Sequence, residues 1–307
     1  MISLLDKVSE PINIHCLHNN LKTISNIPEV IFKHKKLNQI IKYEFNHKSI
    51  DFPNLDETHI SEATYYRLFI DQYVNKDVDF IVYIDADMVC ISDPIEATKK
   101  QIELLKKSNY CLSAKTELKN NLSSEEISHK MKSNSMFNKY WPFQRLGVDE
   151  RYFNAGFMIL NLNKWKKDLN FEKLMTKLDE IRSVIVAWDQ DVLNGFFNGK
   201  YLNLPPGFNR FSQQYKQNSN DDLFIHFYGS KKPWTVDGVF INSSEIYQNN
   251  YRKLYNKNYH IKINWKRHAL KLTIKNILNL NILKLNNPIS YLFIFISKLL
   301  EKASNEK

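Results

Sequence analysis

Cysteine is scarce in this 307-residue chain: Cys16, Cys90 and Cys111 are odd in number and form no CxxC pair and no zinc spacing. That excludes a disulfide framework or a zinc ribbon and leaves buried or indifferent thiols, as in a reducing compartment. Glycine is also sparse, with seven residues and no GxGxxG fingerprint or P-loop, so a phosphate must be held in another way. No internal repeat is present. No charged n-region, apolar h-region and cleavage site opens the chain, which argues against export. The strongly apolar stretch 289–300 is 12 residues long, short of the ~20 that span a bilayer as a helix. Acidic residues nearly vanish at the end: residues 251–307 hold 12 Lys/Arg against 2 Asp/Glu, while the first 250 hold 31 of each sign. The whole +10 excess therefore sits in the tail, a neutral body carrying a basic interaction segment.

What remains is ordinary for a soluble globular protein: 43% hydrophobic, 25% charged and 13% aromatic residues. The most informative stretch is Phe80-Ile81-Val82-Tyr83-Ile84-Asp85-Ala86-Asp87. β-Branched and aromatic residues predict a buried strand. Side chains at i and i+2 leave a strand on one face, so Asp85 and Asp87 emerge together at its end. Open α/β sheets bind ligands at that edge. Two carboxylates so close repel unless a cation lies between them, and such oxygen ligands suit Mg²⁺ or Mn²⁺ beside a substrate phosphate. Asp pairs after strands also serve as turn formers and caps, and an isolated Asp-x-Asp would be read that way.

Further segments shift the balance. Leu223-Phe224-Ile225 predicts a strand delivering His226, and His226-Phe227-Tyr228-Gly229-Ser230-Lys231-Lys232 follows. Neutral imidazole is a competent ligand for borderline divalent ions, Gly229 admits close backbone approach, and Lys232 can meet a phosphate as a point charge. Alone, a histidine is more often simply packed. Asn154-Ala155-Gly156 precedes an expected strand over 157–162; the amide can read hydroxyls and the small residues leave room for a ligand, or the three form a turn. Asp189 and Gln190 open an expected helix over 189–198, where acidic residues complement the dipole or face a substrate. Arg67 lies on an expected helix over 61–75 with Ser61 as its N-cap; an exposed helix arginine is usually only solvated.

The remaining pattern alternates: a helical fragment over 1–9, a strand over 11–16, a helix over 99–107, a short strand over 110–114, polar irregular chain over 118–150 with a helix near 124–132, and a helix over 171–182. This implies an α/β domain with a largely parallel sheet over residues 1–250 and a basic, partly helical extension over 251–307.

Taken in order, Tyr66-Arg67-Leu68, Tyr83-Ile84-Asp85-Ala86-Asp87, Tyr152-Phe153-Asn154-Ala155-Gly156, Asp189-Gln190-Asp191-Val192-Leu193-Asn194 and His226 to Trp234 resemble the family 8 glycosyltransferases, retaining enzymes of Rossmann-like GT-A fold. The resemblance covers about residues 1–250. It implies that Asp85, Asp87 and His226 hold Mn²⁺, with Mg²⁺ as substitute, at the diphosphate of UDP-glucose or UDP-galactose. It implies that Gly229 and Lys232 contact the diphosphate, and that Arg67, Asp85, Ala86, Asn154, Ala155 and Asp189 bind the donor. Gln190 falls where the family places a polar group beneath the anomeric carbon, and Gln190 and Asp189 are the catalytic expectation. Glu117 fits the family pattern loosely and is left outside this set. The implied acceptor is lipopolysaccharide or another lipid-linked surface glycan.

One departure stands out. The family's opening strand, with its uridine-binding loop, has no counterpart before Met1-Ile2-Ser3-Leu4-Leu5. A start upstream, a decayed reading frame and a substitute segment each account for this. The competing function is accordingly an inactive family 8 remnant acting as a membrane-associated scaffold. The tail mixes basic with aromatic and aliphatic residues, which suits an anionic membrane surface and predicts a cytoplasmic protein peripheral on the inner face of the membrane; packing of the tail on the body is the equal alternative. Nucleic acid is not an expected partner, because the body is neutral and carries no recognition motif.

Overall fold

The computed structural model describes residues 1–46, 50–53, 61–75, 77–133, 141–217 and 219–301. Strands form at β1 (Ile12–His18), β2 (Leu37–Glu44), β3 (Phe80–Ile84), β4 (Met88–Cys90), β5 (Leu112–Lys119), β6 (Arg151–Asn161), β7 (Leu202–Asn203), β8 (Arg210–Phe211) and β9 (Phe224–His226). They make three sheets: β1-β2, β3-β6-β5-β7 and β4-β9-β8.

In the four-stranded sheet, β3 and β5 are both antiparallel to β6, and β7 is parallel to β5. Three strands thus share one direction, and the expected largely parallel sheet has one reversed member inside it. The helix Ile95–Lys107 returns the chain so that β5 runs with β3 but one strand further out. β6 fills that gap and is buried at every residue but Arg151, as a central strand covered on both faces should be. Its inner side chains join a core of Phe153, Met158, Leu160, Trp165, Leu193 and their neighbours. β3 is apolar throughout yet only half-buried. Among the described residues no strand bonds its second edge, and β1 pairs only with β2.

Two boundaries differ from expectation in ways that bear on function. The strand expected over 157–162 starts at Arg151, so Asn154-Ala155-Gly156 lies within β6 and not in a turn before it. The register shows why: Ala114 pairs with Met158 but Lys115 pairs with Asn154, so residues 155–157 bulge out of the ladder. Bulges of this kind re-aim side chains beside functional sites, and turn-forming Asn and Gly disguised the strand. The helix expected over 61–75 is a 3-10 helix, Glu62–Phe69, followed by the short helix Ile70–Tyr73. Tyr65 through Phe69 are consecutively buried, which demands contacts all round the segment, and Ser61 makes no capping hydrogen bond. Part of the expected irregular 118–150 region, 134–140, lies outside the described residues; the helix near 124–132 is present as Ser124–Ser133.

The helix Ser244–Tyr255 runs through position 250. Beyond it, the helices Lys266–Leu278 and Pro288–Leu300 pack through Ala269, Tyr291 and Phe295 onto Val236, Val239, Tyr259 and Ile261. The tail does pack on the body, with one of its faces.

Candidate metal and donor site

β3 ends at Ile84, and the turn Asp85-Ala86-Asp87 links it to β4. The Asp85 N–H donates to the Gly156 carbonyl (2.8 Å), tying the turn to the bulge of β6. β4 lies antiparallel to β9 with Met88 opposite His226. The two sheets therefore bring Asp85, Asp87 and His226 together although they lie up to 141 positions apart in the chain. One ligand atom from each fits within a 4.8 Å cluster. His226 Nε2 is 3.4 Å from Asp87 Oδ1 and 3.8 Å from Asp85 Oδ2.

The imidazole is oriented by Asn209, which motif reading missed. Asn209 is fully buried; its amide nitrogen donates to Asn154 Oδ1 (2.8 Å), which leaves its oxygen 2.9 Å from His226 Nδ1. Nδ1 therefore carries the proton, and Nε2 presents its lone pair to the aspartates. A metal-binding histidine needs this kind of second-nitrogen acceptor. Asn154 Oδ1 also accepts from the Gly156 N–H (3.0 Å), and Asn154 Nδ2 donates to Glu117 Oε2 (3.2 Å). A Cβ on Gly156 would lie 2.3 Å from His226 Cε1. The space expected there for a ligand is thus filled by the imidazole, and glycine is required because a ring packs on it. Two carboxylates and one free imidazole lone pair form a mixed O/N donor set suited to Mn²⁺ and tolerable to Mg²⁺.

Two cations already face this acid pair. Lys232 Nζ donates to Asp87 Oδ2 and, at 2.9 Å, to the Phe227 carbonyl. Burial alone would raise the Asp87 pKa; when His226 is protonated, its Nε2–H and charge, with Lys232, overcome that and hold the carboxyl well below its ordinary value. Arg67, expected on an exposed helix face, is 7% exposed. Its guanidinium meets Asp189 Oδ2 at 2.8 Å, Asp85 Oδ1 at 3.0 Å and the Ala155 carbonyl at 2.6 Å. Burial would lower its pKa, but Asp189 and Asp85 outweigh that and keep it charged. Tyr83 adds a hydroxyl to Asp85 Oδ1 (2.6 Å), with its ring under the guanidinium.

The helix Trp188–Phe197 carries the third wall. Its entry residue Trp188 sits at φ +45, an unusual conformation for a side chain of that size, and Asp189 and Gln190 follow it. Asp189 is buried; desolvation pushes its pKa up to about 6 despite Arg67 and the Thr64 hydroxyl (2.6 Å). Gln190 accepts the Ala155 N–H at 3.0 Å and donates to Tyr152 Oη at 3.1 Å and Glu117 Oε2 at 3.4 Å. Glu117 is thus shared by Asn154 and Gln190, and burial raises its pKa. Asp191 points away from the cluster: it takes a two-pronged pair from Arg145 (2.5 and 3.0 Å), the Tyr152 hydroxyl and the N–H groups of Val186 and Ala187. Ala86 is exposed at the turn tip. Gly229 has φ +81 and nothing within 4 Å of where a Cβ would stand, so one short loop combines a left-handed glycine with open space.

The sequence profile of glycosyl transferase family 8 matches residues 2–238. The chain is 29% identical over 193 residues to the lipopolysaccharide 1,3-galactosyltransferase of Salmonella typhimurium, covering 58% of this chain and 51% of that protein. It is 28% identical over 197 residues to the lipopolysaccharide 1,2-glucosyltransferase of Escherichia coli K12, covering 57% and 49%. The chain spans about half the length of these curated relatives. Among solved structures it resembles an active-site mutant of LgtC, with a TM-score of 0.64 at 20% identity over 83% of this chain and 90% of that one. It also resembles LgtC with donor and acceptor sugar analogs, with a TM-score of 0.53 at 19% identity over 80% and 96%.

Proposed function

We propose, from the premise that this chain belongs to glycosyl transferase family 8 and is a glycosyltransferase of GT-A fold, that it moves glucose or galactose from the UDP-sugar to a lipid-linked surface glycan such as lipopolysaccharide, with retention at the anomeric carbon. It works at the cytoplasmic face of the membrane, with residues 1–250 as the transferase unit. The convergence of Asp85, Asp87 and His226 into one cluster carries this reading. A bound Mn²⁺ supplies positive charge to the departing diphosphate.

The chain's own residues do the rest. Lys232 leaves Asp87 for the diphosphate, giving the leaving group a second positive charge, while the backbone at Gly229 approaches it without a side chain in the way. Arg67 fixes Asp85 and Asp189 relative to each other, and Asn154, Ala155 and Asp189 position the sugar. Gln190 is held by Ala155, Tyr152 and Glu117, so its amide keeps one orientation. An amide is a poor nucleophile but a useful fixed dipole for an oxocarbenium-like state. The relatives named for lipopolysaccharide galactosyl and glucosyl transfer support the acceptor class.

Release of free hexose from UDP-glucose or UDP-galactose without acceptor tests the proposal. A live site hydrolyses one of the two donors slowly and only with Mn²⁺ or Mg²⁺ present. A folded chain that releases nothing from either under both metals is the inactive remnant.

A further inference from the structure

Among the described residues, 11 of the 19 large hydrophobic side chains that stand exposed lie between Trp265 and Leu300. The helices there are apolar on two sides. In Pro288–Leu300, Tyr291 and Phe295 are buried against the body, while Ile289, Phe293, Ile296 and Leu300 are exposed, Phe293 at 71%. Their spacing of i, i+4, i+7 and i+11 puts them on one straight stripe. In Lys266–Leu278, Ala269 faces inward, while Leu270, Ile274 and Leu278 are exposed, Leu278 at 76%. Leu280 and Leu283 continue that apolar surface through the connecting turn. Beside it, Arg267, Lys271 and Lys275 recur at i, i+4 and i+8, all exposed, and Lys284 and Lys298 are exposed as well.

A body-packed helix accounts for the inner face and, among the described residues, leaves the outer one without a partner; a contiguous apolar surface of this kind marks an interaction site. Charge chooses the occupant. A second copy would bring together two segments that each carry 12 Lys/Arg and 2 Asp/Glu. An anionic lipid surface satisfies both the apolar stripe and its basic border. No described helix is long and apolar enough to cross a membrane, and two 13-residue helices, each about 20 Å long, suit lying in the interface.

We propose that these two helices form a preformed docking platform for an anionic bilayer. Phe293, Ile296, Leu300, Leu278 and Leu283 enter the acyl boundary, and Arg267, Lys271 and Lys275 meet the headgroups. The platform uses none of the donor-site residues, so it stands whether or not the transferase reading does.

The test is flotation of the full chain with vesicles of phosphatidylcholine, with and without about 30% phosphatidylglycerol. The wild type is expected to bind the anionic vesicles at least about tenfold more tightly than the neutral ones. The variant Phe293→Ser, Ile296→Ser, Leu300→Ser alters only outward or end positions and is expected to keep the wild-type melting temperature while losing about tenfold or more in vesicle binding. The variant Lys271→Glu, Lys275→Glu is expected to lose the preference for anionic lipid. Wild-type protein left unbound at low salt overturns the proposal, as does a serine variant that binds as before. A dimer in sedimentation that the serine variant dissolves, with no vesicle binding, assigns the surface to a second copy instead.

Discussion

Gly156 and His226 are locked together: a Cβ on the glycine would stand 2.3 Å from Cε1 of the imidazole. The pair joins two sheets, since Gly156 lies in the bulge of β6 and His226 ends β9. The Gly156→Ala substitution must therefore move the ring, and with it Nε2, away from Asp85 and Asp87. Mn²⁺ affinity is expected to fall about 10- to 100-fold, the usual effect of disturbing what orients a ligand. Calorimetric Mn²⁺ titration of both proteins, with melting curves to establish folding, measures it.

Lys232 competes with a cation for Asp87. The Lys232→Met substitution removes that competitor, so Mn²⁺ alone is expected to bind about 3- to 10-fold more tightly, matching the ~1 kcal/mol of a partly exposed ion pair. UDP affinity measured at saturating Mn²⁺ moves the other way, because the diphosphate loses a positive partner. Movement of both affinities in one direction would contradict the exchange.

Part of this site is legible in the sequence. Asp85, Asp87 and His226 stand out because strand patterns end on them, whereas Asp189 and Gln190 read locally as an ordinary helix start and are singled out only by the family resemblance. Asn209 is not legible: a lone asparagine after Pro205-Pro206-Gly207-Phe208 reads as loop, and only the pairing of β8 with β9 brings it to the imidazole. Glu117 is obscured similarly, since the expected strand over 110–114 stops short of it and the real β5 runs to Lys119. Arg67 reads as a solvated helix charge because periodicity cannot reveal that its 3-10 helix is buried on several sides. The bulge in β6 is hidden for a related reason: it depends on register against β5, and register is a property of two strands.

The neighbouring acids of the Asp189-Gln190-Asp191 run divide by partner. Asp191 is fully buried and its ion pair with Arg145 also anchors Val186 and Ala187. The Asp191→Ala substitution leaves the Arg145 guanidinium without its carboxylate and is expected to cost about 3–5 kcal/mol of folding stability, read from urea denaturation. Gln190→Ala should cost about 1–3 kcal/mol through its lost hydrogen bonds, yet reduce kcat for donor hydrolysis far more than Asp191→Ala does in the fraction that remains folded.

Asp189 titrates where few carboxylates do. Its folded pKa of about 6 lies above the ordinary 3.8, so the folded chain holds this proton more tightly than the unfolded one. Its contribution to stability is complete below about pH 4 and is lost as pH rises through 6. Urea denaturation at intervals between pH 4 and 7 is expected to show this loss, and in Asp189→Asn that component of the slope should vanish. An unchanged slope would place the proton elsewhere.

The central claim is that Asp85, Asp87 and His226 hold a divalent ion at which UDP binds. Calorimetry of UDP against the 307-residue chain, with and without Mn²⁺, tests it most directly, with Asp87→Ala as the control. The account predicts binding that requires Mn²⁺ and disappears in the alanine variant. UDP binding of equal strength without metal, or a folded wild-type chain that ignores UDP in the presence of Mn²⁺, would contradict it.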